Sequence, residues 1–316
     1  MQTKMLAGAV ALFIAPSLVL AAPQGWSTLM TPQELSALIE ANGDEVRVLQ
    51  VNGEHAAGYI PGAVRAPYAE WRGPDENPGA LPELAQFHAI LERTGIEAET
   101  PVVVVHAGAS PTDFGSAARV YWTLKSLGVE DLAILNGGLA GWKEAGLPVE
   151  VAEGGVFPSD WTPELSDEWR VTSGELAGLL ERGEITNLVD ARPPSFFEGF
   201  LAHEAAASHG TIPGSSNLTY EVWFEGSELV GAEEARRIAE ETGQTDAPLT
   251  VSFCNTGHWA AINWFALSEL AGVENTRLYA ESVVEWSQNG GPMANVPNRF
   301  QFYWHQISTW FSGLLA

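Results

Sequence analysis

Two stretches of the chain contain the same motifs in the same order and indicate its fold. The first, "VRVLQVNGEHAAGYIPGAVRAP", occupies residues 46–67. The second is split between "TNLVDARPPSFFEGF" at 186–200 and "HGTIPGSSNL" at 209–218. Each half has an apolar run, a polar turn, and then Gly-x-Ile-Pro-Gly followed by a small residue. Motifs that recur in the same order in both halves indicate two domains of one fold.

A second apolar run follows in each half, "PVVVVHAG" at 101–108 and "PLTVSFCNTG" at 248–257. Each run leads to a stretch with a helical pattern, at 116–128 and 258–272. Short apolar runs without alternation are typical of parallel strands that helices cover on both sides. The sequence therefore predicts an α/β fold with two domains, each a mostly parallel sheet with helices on both faces.

The repeats also set the expected domain limits. Residues 22–150 form the first domain, and 167–295 form the second. The linker between them, 151–166, is rich in Gly, Pro and polar residues. Residues 296–316 form an aromatic amphipathic helix, whose apolar face is Phe300, Tyr303 or Trp304, Ile307, Trp310 or Phe311, and Leu314. This face is expected to pack on a domain, so that its deletion destabilises the fold. Contact with a partner or a membrane surface is the alternative.

The first 21 residues have the pattern of a secretory signal peptide. Lys4 precedes an apolar run over residues 5–20, which ends in the small-residue cleavage pattern "VLA". A transmembrane anchor is the alternative, but the apolar run is short. We expect an exported protein, periplasmic or secreted, with no membrane span after cleavage.

Composition excludes several kinds of function. A formal charge of −25 would repel phosphate backbones, so nucleic acid is not expected as a partner. The single cysteine, Cys254, excludes an intrachain disulfide and any site built from several thiolates. Cys254 is either a buried apolar filler or a reactive thiol.

The surroundings of Cys254 favour the reactive thiol. Cys254 ends an apolar strand, and a helix is expected to begin about four residues later. Gly257 allows the intervening backbone to curl, so that successive N–H groups form an anion-binding nest. The positive end of the helix dipole adds to this effect, and both stabilise a thiolate.

Together the motifs resemble the tandem-domain rhodaneses, the thiosulfate and 3-mercaptopyruvate sulfurtransferases. The resemblance covers residues 27–292 and rests on the doubled Ile-Pro-Gly, on "LVDAR" at 188–192, and on the cysteine loop. "YAESVVEW" at 279–286 looks like the Tyr-Asp-Gly-Ser-Trp-x-Glu-Trp segment that closes the family's second domain. The resemblance implies an active second domain and a catalytically degenerate first domain.

The first domain departs from the active pattern at two places. His106 stands where the second domain has Cys254, and residues 51–53 replace the Asp and Arg of "VDAR". We expect the first domain to be a structural partner. His106 is then a satisfied residue at a strand end, with a chemical role for it as the alternative.

The resemblance implies that Cys254 carries a persulfide between a small sulfur donor and a thiol or cyanide acceptor, without metal or organic cofactor. Asp190 and Arg192 are expected to pair beneath the site, with Arg192 structural rather than substrate-binding. The substrate-binding loop that follows the cysteine comprises Asn255, Thr256, Gly257, His258 and Trp259. Trp259 is expected to line the pocket or pack on the helix. His258 either binds an anionic donor or moves a proton, or is an exposed loop residue.

Two departures leave the donor open. The family usually has a second Arg at the position of Phe196, and the loop "CNTGHW" matches neither the thiosulfate nor the mercaptopyruvate type. A persulfide carrier that serves a protein acceptor therefore remains an alternative. A phosphatase of this fold would need an Arg at the position of Ala260. A metal site through Cys254 and His258 is a weaker alternative still.

Overall fold

The computed structural model describes residues 22–53, 58–184 and 187–315. The expected signal peptide, 1–21, lies outside these ranges. Within them, no helix combines the length and apolar character needed to cross a membrane.

The first domain is a five-stranded parallel sheet with strand order β1-β5-β4-β2-β3. Its strands are β1 (Leu29–Met30), β2 (Arg47–Gln50), β3 (Val64–Arg65), β4 (Val102–Val105) and β5 (Leu132–Leu135). Its helices are α1 (Pro32–Asn42), α2 (Leu84–Thr94), α3 (Phe114–Ser126) and α4 (Gly138–Glu144), with 3₁₀ turns at Tyr68–Trp71 and Pro111–Asp113 among the connections.

The second domain repeats this plan in a four-stranded parallel sheet with order β11-β10-β6-β7. Its strands are β6 (Asn187–Asp190), β7 (Ser216–Asn217), β10 (Thr250–Phe253) and β11 (Thr276–Leu278), and β8 (Phe224–Glu225) and β9 (Glu228–Leu229) form a separate hairpin. The helices are α5 (Ser173–Arg182), α6 (Pro194–Phe197), α7 (Ala232–Glu241), α8 (His258–Trp264), which continues as a π-helical turn over Phe265–Leu270, α9 (Ser282–Gln288) and α10 (Arg299–Leu315). The predicted α/β class, with two mostly parallel sheets, is confirmed.

The central strands explain the unbroken apolar runs of the sequence. Every residue of β4 and β10 is buried, because helices cover both faces of each sheet. The Ile-Pro-Gly motifs also have a common role. Ile60 and Ile212 are fully buried. The residue before each isoleucine forms an antiparallel bridge to the end of its domain, Tyr59 to Glu150 and Thr211 to Ala294.

The strand register corrects one alignment between the halves. Gln50 pairs with Val105 in the first sheet, and Asp190 pairs with Phe253 in the second. Gln50 is therefore the counterpart of Asp190, whereas the sequence placed the replacement within 51–53. That assignment is wrong by one residue at the Asp position, because the halves share no side chain there and only the backbone pairing fixes the register.

The residues just beyond these strands occupy matching positions. His106 follows β4 as Cys254 follows β10, which agrees with the sequence alignment. By the same register Asn52 is the counterpart of Arg192. The first residues of the two loops that follow the central strands can therefore be compared position by position.

The two domains share one apolar interface, built by α3 and by α8 with its π-helical extension. The Phe265 ring lies 5.5 Å from that of Phe114 and 5.0 Å from that of Tyr121, measured between centroids. Lys125 and Glu269 form an ion pair of 2.9 Å across the same interface. One cluster of buried apolar residues runs through both domains, so the first domain buries a face of the second.

The linker and the final helix complete the chain. The linker has neither helix nor strand at 152–166 and follows the first domain, where Gly154 N donates to the Ala63 oxygen.

Helix α10 does not pack as the sequence suggested. The described members of its apolar face are 50–77% exposed, namely Phe300, Tyr303, Trp304 and Ile307. The expectation that this face is covered is wrong for these side chains, because periodicity identifies a face but not what covers it. The side chains of Trp310, Phe311 and Leu314 lie outside the described set.

Candidate active site

The backbone of the cysteine loop is held by its carbonyl groups. Cys254 is 1% exposed, and its N–H donates to Ser282 Oγ at 3.0 Å. Three consecutive loop carbonyls each accept a hydrogen bond from outside the loop. The three bonds run from Val283 N to the Cys254 oxygen (3.1 Å), from Val284 N to the Asn255 oxygen (3.1 Å) and from Arg72 Nη2 to the Thr256 oxygen (3.0 Å).

This arrangement leaves three amides free for a ligand. In a trans peptide the C=O and the following N–H point in opposite directions. The N–H groups of Asn255, Thr256 and Gly257 therefore point away from the atoms that hold the carbonyls. Across the described residues, none of these three amides donates to another protein atom. Convergent backbone donors of this kind form an anion-binding nest.

Gly257 is required by both conformation and space. Its φ of +72° lies in the left-handed region that glycine adopts without strain. A Cβ at this position would overlap Arg119 Nη1 and the carbonyl oxygen of Ala280. The first of these atoms belongs to the first domain, so the loop is shaped from both sides of the interface.

Asp190 and Arg192 pair beneath the loop, where both are fully buried. Arg192 donates to both carboxylate oxygens of Asp190, from Nε at 2.9 and 3.1 Å and from Nη2 at 2.6 Å. It also donates to the side chain of Asn255 at 3.1 Å and to the carbonyl of Gly210 at 2.9 Å. This pairing satisfies the buried charges and fixes Asn255 and the Ile-Pro-Gly segment. Arg192 therefore positions the loop.

His258 lies in the interface between the domains. Its Nδ1 is 3.0 Å from the hydroxyl of Tyr68, and its Nε2 is 2.7 Å from the carbonyl oxygen of Thr112. Because that carbonyl can only accept, Nε2 carries the proton and Nδ1 accepts from Tyr68. Arg72 Nη1 in turn donates to the Tyr68 oxygen at 2.6 Å. A series of hydrogen bonds thus runs from Arg72 through Tyr68 and His258 to Thr112.

These contacts decide between the alternatives for His258. Burial, with the nearby Arg72 guanidinium adding to it, lowers the pKa of His258 to about 4. The ring is therefore neutral at neutral pH and does not bind an anion by charge. It is half-buried rather than exposed. Both ring nitrogens are engaged, so a metal site through Cys254 and His258 is not what the structure supports.

Trp259 and Phe196 form an aromatic wall beside the loop. Trp259 stacks on Tyr220 at 5.1 Å and meets the Phe196 ring edge-on at 5.9 Å. Its indole N–H donates to Thr112 Oγ1 at 2.8 Å. Phe196, which stands where the family has its second arginine, is thus part of this apolar contact and supplies no charge to the loop.

A cleft between the domains leads to Cys254. Its volume is about 320 Å³. Cys254, Asn255 and Thr256 lie on one side, and Arg72 and Thr112 of the first domain line it as well. The remaining lining residues are Pro78, His203, His258 and Trp259.

Sequence reasoning missed the contribution of the first domain. The residues concerned are Tyr68, Arg72, Thr112 and Arg119, which no local motif marks. The one available signal was indirect. The loop lacks the basic residues that the family resemblance leads one to expect in it, so a cation near the cysteine has to come from another part of the chain.

Comparison with known proteins agrees with this geometry. The Rhodanese-like domain matches the chain twice, over residues 31–145 and 172–289. The chain belongs to the rhodanese family. The 3-mercaptopyruvate sulfurtransferase of Escherichia coli K12 is 30% identical over 84% of this chain and 91% of its own length. The thiosulfate sulfurtransferase of Corynebacterium glutamicum is 30% identical over 83% and 87% of the two chains. The sulfur carrier protein TtuD of Thermus thermophilus is 28% identical over 80% and 90%.

A solved structure shows the same fold. SseA, a 3-mercaptopyruvate sulfurtransferase from Escherichia coli, superposes with a TM-score of 0.69 and covers 81% of this chain and 98% of its own. At 22% identity the likeness shows the fold alone.

The loop of the first rhodanese domain shares two carbonyl hydrogen bonds with the cysteine loop and differs in its amide contacts. Leu139 N donates to the His106 oxygen at 2.8 Å and Ala140 N to the Ala107 oxygen at 3.0 Å, as Val283 and Val284 do in the second domain. Here, however, three of the loop amides are occupied. Ala107 N donates to Asn52 Oδ1, and Ala109 N and Ser110 N donate to the Asp113 carboxylate at 2.8 and 3.1 Å.

Proposed function

We propose that the chain is a sulfurtransferase in which Cys254 takes a sulfur atom from a small donor and passes it to a thiol or to cyanide. The donor is of the thiosulfate or 3-mercaptopyruvate type, by analogy with the named relatives. The observation that carries the proposal is the cysteine loop, whose three outward carbonyls leave three amides free beside the cysteine. These amides stabilise negative charge on the cysteine sulfur and on the sulfur bound to it.

The reaction is covalent catalysis in two half-reactions. With thiosulfate, the Cys254 thiolate attacks the outer sulfur, a new S–S bond forms, and sulfite leaves with the electron pair of the broken bond. With 3-mercaptopyruvate, the C–S bond breaks and the thiol proton ends on the methyl carbon of pyruvate. Cyanide then attacks the outer sulfur of the persulfide, which releases thiocyanate and restores the thiolate.

The test is steady-state thiocyanate formation with each donor in turn. We expect double-reciprocal plots of parallel lines, which indicate a ping-pong mechanism. Cys254→Ser should form no thiocyanate. Intersecting lines, or turnover that survives in Cys254→Ser, would contradict the proposal.

A persulfide carrier is the second candidate, because TtuD is named a sulfur carrier and Phe196 removes an expected charge. The cleft argues for the enzyme, because a volume of about 320 Å³ with a buried cysteine suits small molecules. A carrier would load sulfur but release it only slowly to cyanide or small thiols. Turnover with small acceptors therefore separates the two candidates.

We also propose that the protein acts outside the cytoplasm, on the basis of the signal-like residues 1–21. The intact mass of protein from the periplasm or medium of an expressing bacterium tests this. A mass that corresponds to a chain beginning after Ala21 or Ala22 is expected. A full-length chain confined to the cytoplasm would contradict it.

A further inference from the structure

Arg72 reaches the cleft from the 3₁₀ turn that Tyr68–Trp71 forms in the first domain. Its Nε donates to the Pro78 oxygen at 2.7 Å, its Nη1 to Tyr68 and its Nη2 to Thr256. A guanidinium has five N–H donors, so at least two remain for a ligand. The three bonds fix the plane of the group, which reduces the entropy lost when an anion binds.

The charge of Arg72 is not neutralised by the protein. In the part of the chain that the structure describes, no carboxylate forms an ion pair with it. This is unusual in a protein with a formal charge of −25. The described side chains that line the cleft include no Asp or Glu, and Arg72 is the one among them with a permanent charge.

Other cationic groups near the loop are not available to a ligand. Arg192 is committed to Asp190 beneath the loop. Arg119 is fully buried behind Gly257, where it donates to the carbonyls of Gly79 and Ala280. Position 196 carries a phenyl ring. Arg119 adds positive potential but presents no surface to the cleft, so direct contact with an anion falls to Arg72.

We propose that Arg72, supplied by the first domain, binds the anionic group of the sulfur donor and so selects donors that carry a sulfonate-like or carboxylate group next to the transferred sulfur. This rests on the proposed sulfur transfer. The planar group can donate two parallel hydrogen bonds to such oxygens. The loop amides then hold the transferred sulfur while Arg72 holds the rest of the donor.

The first test compares two alkylating probes of nearly equal size, iodoacetate, which is an anion, and iodoacetamide, which is neutral. Cys254 is the only cysteine of the chain, so either probe reports on it alone. The readout is the ratio of the two rates, iodoacetate over iodoacetamide. Arg72→Gln should lower this ratio by about 10-fold, the size of a hydrogen bond to a charged group. Arg72→Lys should largely preserve it.

The matched control is Arg93→Gln, which removes an equal charge from an exposed position of the same domain. Its ratio should equal that of the unchanged protein. A purely structural role for Arg72 would lower both rates together and leave the ratio intact. An unchanged ratio in Arg72→Gln, with or without a fall in both rates, would overturn the proposal.

The second test uses the transfer reaction. With thiosulfate and cyanide, Arg72→Gln should raise the KM for thiosulfate by about 10-fold with a smaller effect on kcat. A fall in kcat at constant KM would contradict a role in donor binding. The alkylation ratio requires no sulfur transfer, so a failure of the proposed function and a failure of the Arg72 assignment give different results.

Discussion

The loops at His106 and at Cys254 share two carbonyl hydrogen bonds and differ in what their amides contact. In both, two consecutive carbonyls accept from the start of the helix after the last strand of the sheet, α4 in the first domain and α9 in the second. In the first domain the amides donate to Asn52 and Asp113, which are acceptors of the chain itself. In the second, the counterpart of Asn52 is Arg192, a donor that cannot accept. Its loop amides are left for a ligand.

The comparison shows how one fold yields a loop with open amides and a loop whose amides are mostly occupied. In both domains the central strand of the parallel sheet is followed by a loop with amides that, among the described residues, donate to no backbone carbonyl. What differs is whether side-chain oxygen atoms of the chain itself accept from those amides. The absence of a cysteine at 106 is therefore only part of the difference, because Asn52 and Asp113 also occupy amides of the loop around it.

The first domain has not become inert, however. It supplies Arg72 to the cleft, Tyr68 and Thr112 to His258, and Arg119 to the space behind Gly257. The loop of the second domain is thus complete only when the first domain is docked.

The largest expected effect comes from moving the cysteine between the two loops. The double variant His106→Cys/Cys254→Ser should lose at least about 1000-fold of thiocyanate formation, because Asn52 and Asp113 occupy the amides around position 106. The assay is thiosulfate with cyanide, with Cys254→Ser as the baseline. Activity of the double variant well above that baseline would show that a cysteine in either loop suffices and that the occupied amides make no difference.

A smaller effect is expected when the active loop is crowded. Gly257→Ala should lower the free energy of unfolding by about 3 kcal/mol, because the new Cβ meets Arg119 and the Ala280 oxygen at a positive φ. The matched control is Gly183→Ala, at φ +66° with open space around it, which should cost about 1 kcal/mol. Both are measured by chemical denaturation. Equal losses would mean that the first domain does not constrain the loop.

The smallest expected effect is on the pH dependence of stability and concerns His106 in the loop of the first domain. Burial lowers the pKa of His106 to about 4, below its ordinary value of about 6.5. The unfolded chain therefore binds a proton more readily, and this histidine reduces stability as the pH falls from 6.5 towards 4. Between pH 7 and pH 5 the native protein should lose about 2 kcal/mol more than His106→Asn does.

The slope with pH is the readout for this variant, since lost packing also lowers its stability at every pH. His258 shifts in the same direction but is present in both proteins, so it cancels in the comparison. Identical slopes would show that His106 is not buried as a neutral ring.

The sequence was sufficient for the features that depend on local pattern. The doubled Ile-Pro-Gly and the apolar central strands predicted both parallel sheets, and the step from Phe253 through Gly257 predicted a loop with inward amides. Contacts that join distant parts of the chain were beyond it. Arg72 and Thr256 are 184 residues apart, and no periodicity relates them. The correspondence of Gln50 to Asp190 follows from the strand register, which only the backbone pairing shows.

The most direct test of the account is the intact mass of the purified protein after incubation with thiosulfate or with 3-mercaptopyruvate, beside Cys254→Ser and the double variant His106→Cys/Cys254→Ser. Only the native chain should gain the mass of one sulfur atom, and cyanide should remove it. A native chain with reduced Cys254 that gains no sulfur from either donor would contradict the account, as would a double variant that gains it equally well.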